Sequence, residues 1–445
     1  MQSQNIPTVG EWQTAVRHGE LDSCLGRLYG DDTVPAQRRR YLQLLGEHER
    51  RYGSGAVRLF SAPGRTELGG NHTDHNNGLA LAGAVQLDCV AAVSPGGDPT
   101  GTGIYSMDFA QEYRLDIRST AMQPAEQGTL AGIARGVLDW CHKRDIPAVP
   151  FQATLQSDVQ PGSGLSSSAC IESLLTTVVD VLSANATQPP RPRLSPVEVA
   201  LCGQYAENTY FGKPCGLLDQ TAIAAGGVVG IDFADPHAPQ VTRLEADFAA
   251  HGYRLCIVHT RSDHAADTDS YASIPREMRQ IAGWFGAEVL RGVDPASFWR
   301  EIARLRSEFA GRAIARAGHY FAENERVQLM QRALTSGDIP GYLNLVAASG
   351  HSSFQFLQNV VHEVDNQDYG LALLQIQSLF EFRGVVSRVH GGGFGGAVQA
   401  YVPLAVWDEF VQTMEITLGE GCVVPLAIRP WGVEEIELRS KEELI

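Results

Sequence analysis

The chain has 445 residues, enough for two or three domains, each with its own core. Apolar residues make up 44% and charged residues 19%, a balance that excludes an intrinsically disordered chain. The net charge of −16 opposes phosphate backbones and anionic lipids, so neither nucleic acid nor a membrane is expected as a partner. A polyphosphate substrate needs local positive charge or a bound cation to enter such a field. The eight cysteines form no C-x-x-C pair and no zinc-type cluster with histidine, and they read as reduced thiols. The opening MQSQNIPTVGEWQTAV lacks a basic start followed by an apolar stretch. No apolar run is expected to reach the ~20 residues of a membrane span, and the cytoplasm is the expected location.

Residues 1–52 are amphipathic and read as an N-terminal helical extension ending in QRRRYLQLLGEHERRYG. Strand-like runs follow at Val57–Ser61, Leu79–Val93 and Tyr113–Ile117. TLAGIARGVLDWCHKRD repeats apolar residues every three or four positions, as a helix does. FQATLQS (151–157) alternates as a strand and runs into a glycine-rich turn, after which a long helix starts near Ser167. NATQPPRPRLSP (185–196) is a surface loop. A further helix, PVEVALCGQYAENTYFG, leads into a loop with Asp219. A boundary falls near 250, giving one domain over 53–250 and another over 251–445. The second half mixes helices (277–290, 295–335, 338–348, 367–382) with the strands RLCIVHT, VSRVH and AVQAYVP, an α+β pattern.

Four segments carry chemistry. QPGSGLSSSACIE (160–172) sets close glycines before a helix N-terminus, whose free N–H groups and dipole favour an anion such as phosphate. It is not a Walker A loop, and a plain flexible turn capping a helix is the ordinary alternative. APGRTELGGNHTDHNNG (62–78) holds Arg65, His72 and Asp74 beside tight turns, suited either to sugar hydroxyls or to a polar surface turn. SRVHGGGFGGAVQAYV (387–402) implies close backbone approach, or a bulge. In GKPCGLLDQTAIAAGGVVGIDF (212–233), Asp219 lies among apolar residues, where a carboxylate needs a partner or a role.

Together these segments resemble the GHMP kinase superfamily and, within it, the galactokinases, from about residue 57 to the C-terminus. PGSGLSSSA (161–169) matches P-x-G-x-G-L-S-S-S-A, and AENTYFGKPCGLLDQ (206–220) resembles A-E-x-x-x-x-G-x-x-C-G-I-M-D-Q. VHGGGFGGA is similar to the third motif, T-G-A-G-F-G-G. The resemblance implies an N-terminal α/β domain and a C-terminal ferredoxin-like domain with the active site in the cleft. It implies ATP and Mg²⁺, and phosphorylation of a sugar, galactose, at its anomeric hydroxyl.

Residue by residue, the resemblance makes Asp219 and Arg65 catalytic, and places Gly162, Ser163, Gly164, Leu165, Ser166, Ser167, Ser168 and Ala169 on the nucleotide phosphates. Ser168 and Glu207 match the magnesium ligands. Asn71, His72, Asp74, Gly216, Asp219 and Tyr271 match sugar-binding positions. A monomer is expected.

Three departures stand out. The family's G-R-x-N-L-I-G-E-H-x-D-Y is here G-R-T-E-L-G-G-N-H-T-D-H, so Asn71 replaces a glutamate used on the sugar's 6-hydroxyl, Glu67 takes the asparagine position and His75 replaces tyrosine. Loss of that carboxylate removes repulsion against a C6-carboxylated sugar such as galacturonate, so a kinase for that or an N-acetylated sugar is an alternative. LAGI (130–133) replaces W-x-N-Y, which leaves the adenine contact unassigned. SGHSSFQFLQN (349–359) resembles the family's S-H-x-S-L only at its start. A catalytically silent sugar and ATP sensor is the third reading; such relatives lose the serine loop or the base, and this chain keeps both.

Overall fold

Three helices lead the chain: α1 (Val9–His18), α2 (Asp22–Tyr29) and α3 (Val34–Tyr52). Thr8 and Glu11 form a capping box on α1, and Gly19 ends it in the left-handed region. The structure, a computed structural model, describes residues 6–97, 101–187, 189–260, 268–360, 367–394 and 396–438.

Next come β1 (Arg58–Gly69), β2 (Leu79–Pro95), β3 (Gly101–Ser106), β4 (Gln111–Asp116), α4 (Leu130–His142), β5 (Phe151–Ser157), α5 (Ser167–Ala186), α6 (Pro196–Tyr205), α7 (Leu218–Ala225), β6 (Val228–Asp232) and β7 (Gln240–Leu244). Among the described residues the sheet order is β12-β1-β2-β5-β3-β4, where β12 is Glu434–Ile436, with β6 and β7 attached beside the first half of β2. The strand alternation seen in the sequence decides the layering. Leu59, Val90 and Ala92 face α1–α3 with Trp12, Tyr41 and Leu44. Phe60, Ala62, Cys89, Ala91 and Val93 face α4 and α5 in the main core.

β12 departs from a division at residue 251: the C-terminal strand crosses back to pair with β1, Leu59 opposite Ile436. Its three residues carry too little periodicity to be read from sequence. The helical extension is tied down by the buried Asp88 of β2, whose carboxylate takes Arg40, Tyr29, Ser61 and Arg429.

The second sheet is antiparallel in the order β11-β8-β10-β9. Its strands are β8 (Tyr253–His259), β9 (Val386–Val389), β10 (Ala397–Pro403) and β11 (Val423–Leu426). Helices α8 (Thr268–Trp284), α9 (Pro295–Arg300), α10 (Ile302–Glu308), α11 (Gly311–Thr335) and α12 (Ile339–Ser352) precede β9, with α13 (Asp368–Phe380) just before it and α14 (Trp407–Leu418) after β10. α13 and α14 cover one face through Ile376, Phe380, Phe410 and Met414 against Val258, Val398 and Ala400. Helices and two separate sheets together make an α+β architecture, as the sequence pattern predicts.

α5 is long and apolar enough to span a membrane by length and composition, contrary to the sequence expectation, but most of it is buried inside the protein. It is the central helix of the first domain. None of the eight cysteines is joined in a disulfide among the described residues.

Candidate active site

Two irregularities in the β1–β2 register, at Pro63/Arg65 and at Glu67/Gly69, bracket the residues that matter most. Such breaks re-aim side chains out of the strand alternation. Arg65 is turned onto Asp219 in a bidentate pair, Nε to Oδ1 at 2.6 Å and the second guanidinium nitrogen to Oδ2 at 2.7 Å. Its third nitrogen donates to the carbonyl of Gly164 at 2.5 Å. Ser166 Oγ donates to Asp219 Oδ2.

The sequence places Asp219 in a loop; the structure corrects this to the first turn of α7, where the helix dipole favours a carboxylate. The side chain keeps 34% of its surface open to the cleft, while that of Arg65 keeps 7%. Burial alone would raise the Asp219 pKa. The Arg65 guanidinium and the Ser166 hydroxyl outweigh it and hold the carboxyl below its usual value.

The loop 162–166 turns through three left-handed residues, Gly162 (φ 75°), Gly164 (φ 77°) and Ser166 (φ 63°). Glycine adopts that region freely, whereas Ser166 in it stores strain of the kind found at functional turns. Ser163 Oγ accepts from the amide of Leu165, and the buried Leu165 carbonyl accepts from the amide of Arg65. The first backbone bond at the head of α5 is Cys170 N–H to Ser166 O at 3.0 Å, and Ser166 makes no side-chain cap. The amides of Ser167, Ser168 and Ala169 thus point forward at a helix N-terminus, an arrangement that takes an anion.

Glu207 sits where α6 loosens into a π-helical stretch, Ala206–Phe211. Ser168 Oγ donates to its Oε1 at 2.8 Å, and Gln220 Nε2 bridges Glu207 Oε2 (3.1 Å) and Glu172 Oε2 (2.9 Å). Burial and the adjoining Glu207 push Glu172 well above the carboxylate range. Sequence reading missed Glu172, Gln220 and the exposed Lys213, whose charge helps lower the Asp219 pKa. The D-Q pair and the glutamate one turn beyond Ser168 were the available signals.

Of the residues expected at the sugar, Asp74, Gly216, His72 and Tyr271 come together. A Cβ on Gly216 would strike the Asp74 carboxylate, so the glycine lets that side chain lie against the backbone. The His72 and Tyr271 rings lie 5.0 Å apart, and His72 Nε2–H donates to Gly392 O at 2.9 Å. His75, the departure from tyrosine, meets the Tyr271 hydroxyl at 2.9 Å. Burial, then the charges of Asp74 and Asp219, pushes the Tyr271 phenol well above its ordinary range. Gly395 of the third motif lies outside the described residues.

Asn71 is a correction. It is fully buried and its amide has no position left for a substrate. Nδ2 donates to Glu67 (3.0 Å) and to Gly391 O (2.6 Å); Oδ1 accepts from Asn359 (2.8 Å) and Ser353 (3.1 Å). Two of these partners belong to SSFQFLQN, the stretch that also departs from the family pattern. Asn71 and Glu67 are wired to each other and across to the second domain, where Arg388 pairs with Glu67. Asn71→Glu is therefore expected to lower stability by several kcal/mol, because it sets a second carboxylate beside Glu67 in a buried site. Thermal unfolding reads the loss; unchanged stability with a shifted sugar preference would return Asn71 to the substrate.

A family model described as the galactokinase galactose-binding signature matches residues 46–95, and one for the GHMP kinase N-terminal domain matches 132–227. A galactokinase of Actinobacillus pleuropneumoniae is 31% identical over 369 residues, 81% of this chain and 88% of the relative. One of Streptomyces coelicolor is 30% identical over 368 residues, 82% and 89% respectively. Among solved structures, Lactococcus lactis galactokinase complexed with galactose superposes with a TM-score of 0.73 at 22% identity, covering 88% of this chain and 98% of that one. Methanococcus jannaschii mevalonate kinase reaches 0.56 at 13% identity, covering 83% and 98%. The motifs in their order, the fold and relatives of this identity along four-fifths of the chain agree: it belongs to the galactokinase family of GHMP kinases, ATP-using sugar 1-kinases.

Proposed function

We propose that the chain moves the γ-phosphoryl group of ATP onto the anomeric hydroxyl of galactose, with Asp219 and Arg65 as the catalytic pair. The observation that carries this reading is the Arg65–Asp219–Ser166 cluster set against the open amides of the 162–169 loop. Asp219 accepts the hydroxyl proton as the sugar oxygen bonds to phosphorus and the bond to the β-phosphate oxygen breaks. Arg65 keeps Asp219 ionised and fixes its orientation. The amides of Ser167, Ser168 and Ala169, with the Gly162–Ser166 turn, hold the phosphates that remain on ADP. His72, Asp74, Gly216 and Tyr271 hold the sugar.

Magnesium fits the donors present. Ser168 Oγ and Glu207 Oε1 are hard oxygens 2.8 Å apart. No set of three or more His, Cys, Asp or Glu side chains among the described residues makes a closed metal site, so the cation would complete its shell with phosphate oxygens and water. When bound, it neutralises phosphate charge. Glu207→Gln is expected to raise the magnesium concentration needed for half-maximal rate, with galactose KM little changed. A magnesium titration at saturating galactose checks this, and a changed sugar KM with unchanged magnesium dependence contradicts it.

A division into the extension 1–52 and domains 53–250 and 251–445 belongs to the same reading, with β12 returned to the first domain. So do a monomeric working unit and a cytoplasmic location. A coupled ADP-release assay over galactose, galacturonate and N-acetylgalactosamine tests the substrate. Galactose is expected to be turned over best; preference for a uronate, or ADP release from none, overturns the reading.

A further inference from the structure

His390 stands immediately before the glycines of the third motif, where the family pattern has threonine. It is 3% exposed. Its Nε2 lies 2.9 Å from Thr66 Oγ1 and accepts the amide of Glu67 at 3.3 Å. Gln399 Nε2 donates to Thr66 Oγ1 at 2.6 Å, so the threonine's own proton is free to go to His390. Nε2 therefore accepts twice, and the ring proton resides on Nδ1. Burial first, then Arg65 and Arg388, holds the imidazole neutral.

That leaves a defined donor with no acceptor. Nδ1 is buried and makes no hydrogen bond. A histidine kept only for packing is expected to have both ring nitrogens satisfied. An orphaned buried donor is destabilising, and the cost is recovered if a ligand supplies the acceptor. The place where Nδ1 points is informative. A Cβ on Gly164 would lie 3.0 Å from it, so Nδ1 abuts the phosphate loop at the residue whose carbonyl takes Arg65. The Gly164 amide makes no hydrogen bond among those found for the described residues, so the loop residue against the ring also carries an unused donor. A third neighbour, Gly391, places its α-carbon side against Arg65.

We infer that His390 is a further catalytic residue: with nucleotide in the loop, its Nδ1–H donates to an oxygen of the transferring phosphoryl group beside the Gly164 amide. The inference rests on the proposed phosphate-binding role of the 162–169 loop. Neutral imidazole suits the task. It steadies negative charge building on phosphoryl oxygen without releasing a proton, and it leaves Asp219 as the only base.

Two near-isosteres separate this from a structural role. Glutamine reproduces the far nitrogen that faces Thr66 and Glu67 but not the Nδ1 donor; asparagine reproduces the near donor and abandons Thr66. His390→Gln is expected to lower kcat by about 10²-fold with galactose KM within about threefold, and His390→Asn to retain most of the rate. A Gln variant near wild-type kcat, or a larger loss in the Asn variant, overturns the inference. A measurement on the unaltered chain guards against variants that fold poorly. In protein carrying ¹⁵N-histidine, ADP, magnesium and beryllium fluoride, a phosphoryl mimic, should move the His390 Nδ1–H resonance downfield, and ADP with magnesium alone should not. No movement with beryllium fluoride overturns the inference. Absence of sugar-dependent ADP release by the wild type is instead a failure of the proposed function, and the resonance is read independently of turnover.

Discussion

Asp219→Asn is expected to lower kcat by about 10²-fold or more while the chain still folds and binds galactose. The carboxylate is held ionised by Arg65 and Ser166, and a third of its surface stays open to the cleft. Asparagine keeps the shape and one acceptor but has no charge with which to take a proton. It also weakens the bond to the buried Arg65, so a stability loss of about 1–3 kcal/mol should accompany it. Calorimetric binding of galactose, thermal unfolding and steady-state kinetics separate these effects. Near-normal turnover in the folded variant removes Asp219 from the chemistry.

Arg388→Met is expected to destabilise the chain by about 3–5 kcal/mol at pH 8, because it strands Glu67 in the seam between the domains. Arg388 is fully buried, Glu67 is 5% exposed, and among the described residues Asn71 is the one further side chain hydrogen-bonded to its carboxylate. Burial already pushes Glu67 up to about 7, against the pull of Arg388 and Arg65. Without Arg388 it must rise further. A carboxyl whose folded pKa exceeds its unfolded value binds more protons when folded, so its contribution to stability falls as pH rises between those values. The deficit of the variant relative to wild type should therefore be small near pH 5 and grow through pH 7 to 8. Adding Glu67→Gln should recover much of the loss at pH 8, since a neutral amide does not require the guanidinium. Denaturant unfolding of the wild type, both single variants and the double variant at the two pH values checks this. A deficit independent of pH would mean the loss comes from packing rather than from the stranded carboxylate.

Much of the first domain was legible because its signals are local. The alternation of FQATLQS yields β5 over the same residues, and PGSGLSSSA places the head of α5 at Ser167. The S-P-V-E sequence is a capping box with proline at the first helical position, and α6 starts there. β3, β7, β11, β12 and α14 were not anticipated. The strands among them are short, three to six residues each, and gain their stability from neighbours distant in sequence. Helix α7 reads as a loop in the sequence because its N-cap residue, Leu217, makes no side-chain cap, so nothing local marks its start.

The sequence by itself determined the family, the order of the motifs and the identities of the groups that can act: Arg65, Asp219, Glu207 and the serine loop. Those residues announce themselves because glycine spacing and a carboxylate among apolar residues have local chemical meaning. Only the tertiary structure decided which groups meet. Arg65 and Asp219 are 154 residues apart in the chain and join through a bulged strand and a helix start. Asn71, which the motif places on the sugar, is instead consumed by Ser353, Asn359 and Gly391, some 280 to 320 residues away. A side chain's hydrogen-bonding capacity is finite, and which partners exhaust it depends on packing between domains rather than on its neighbours in sequence.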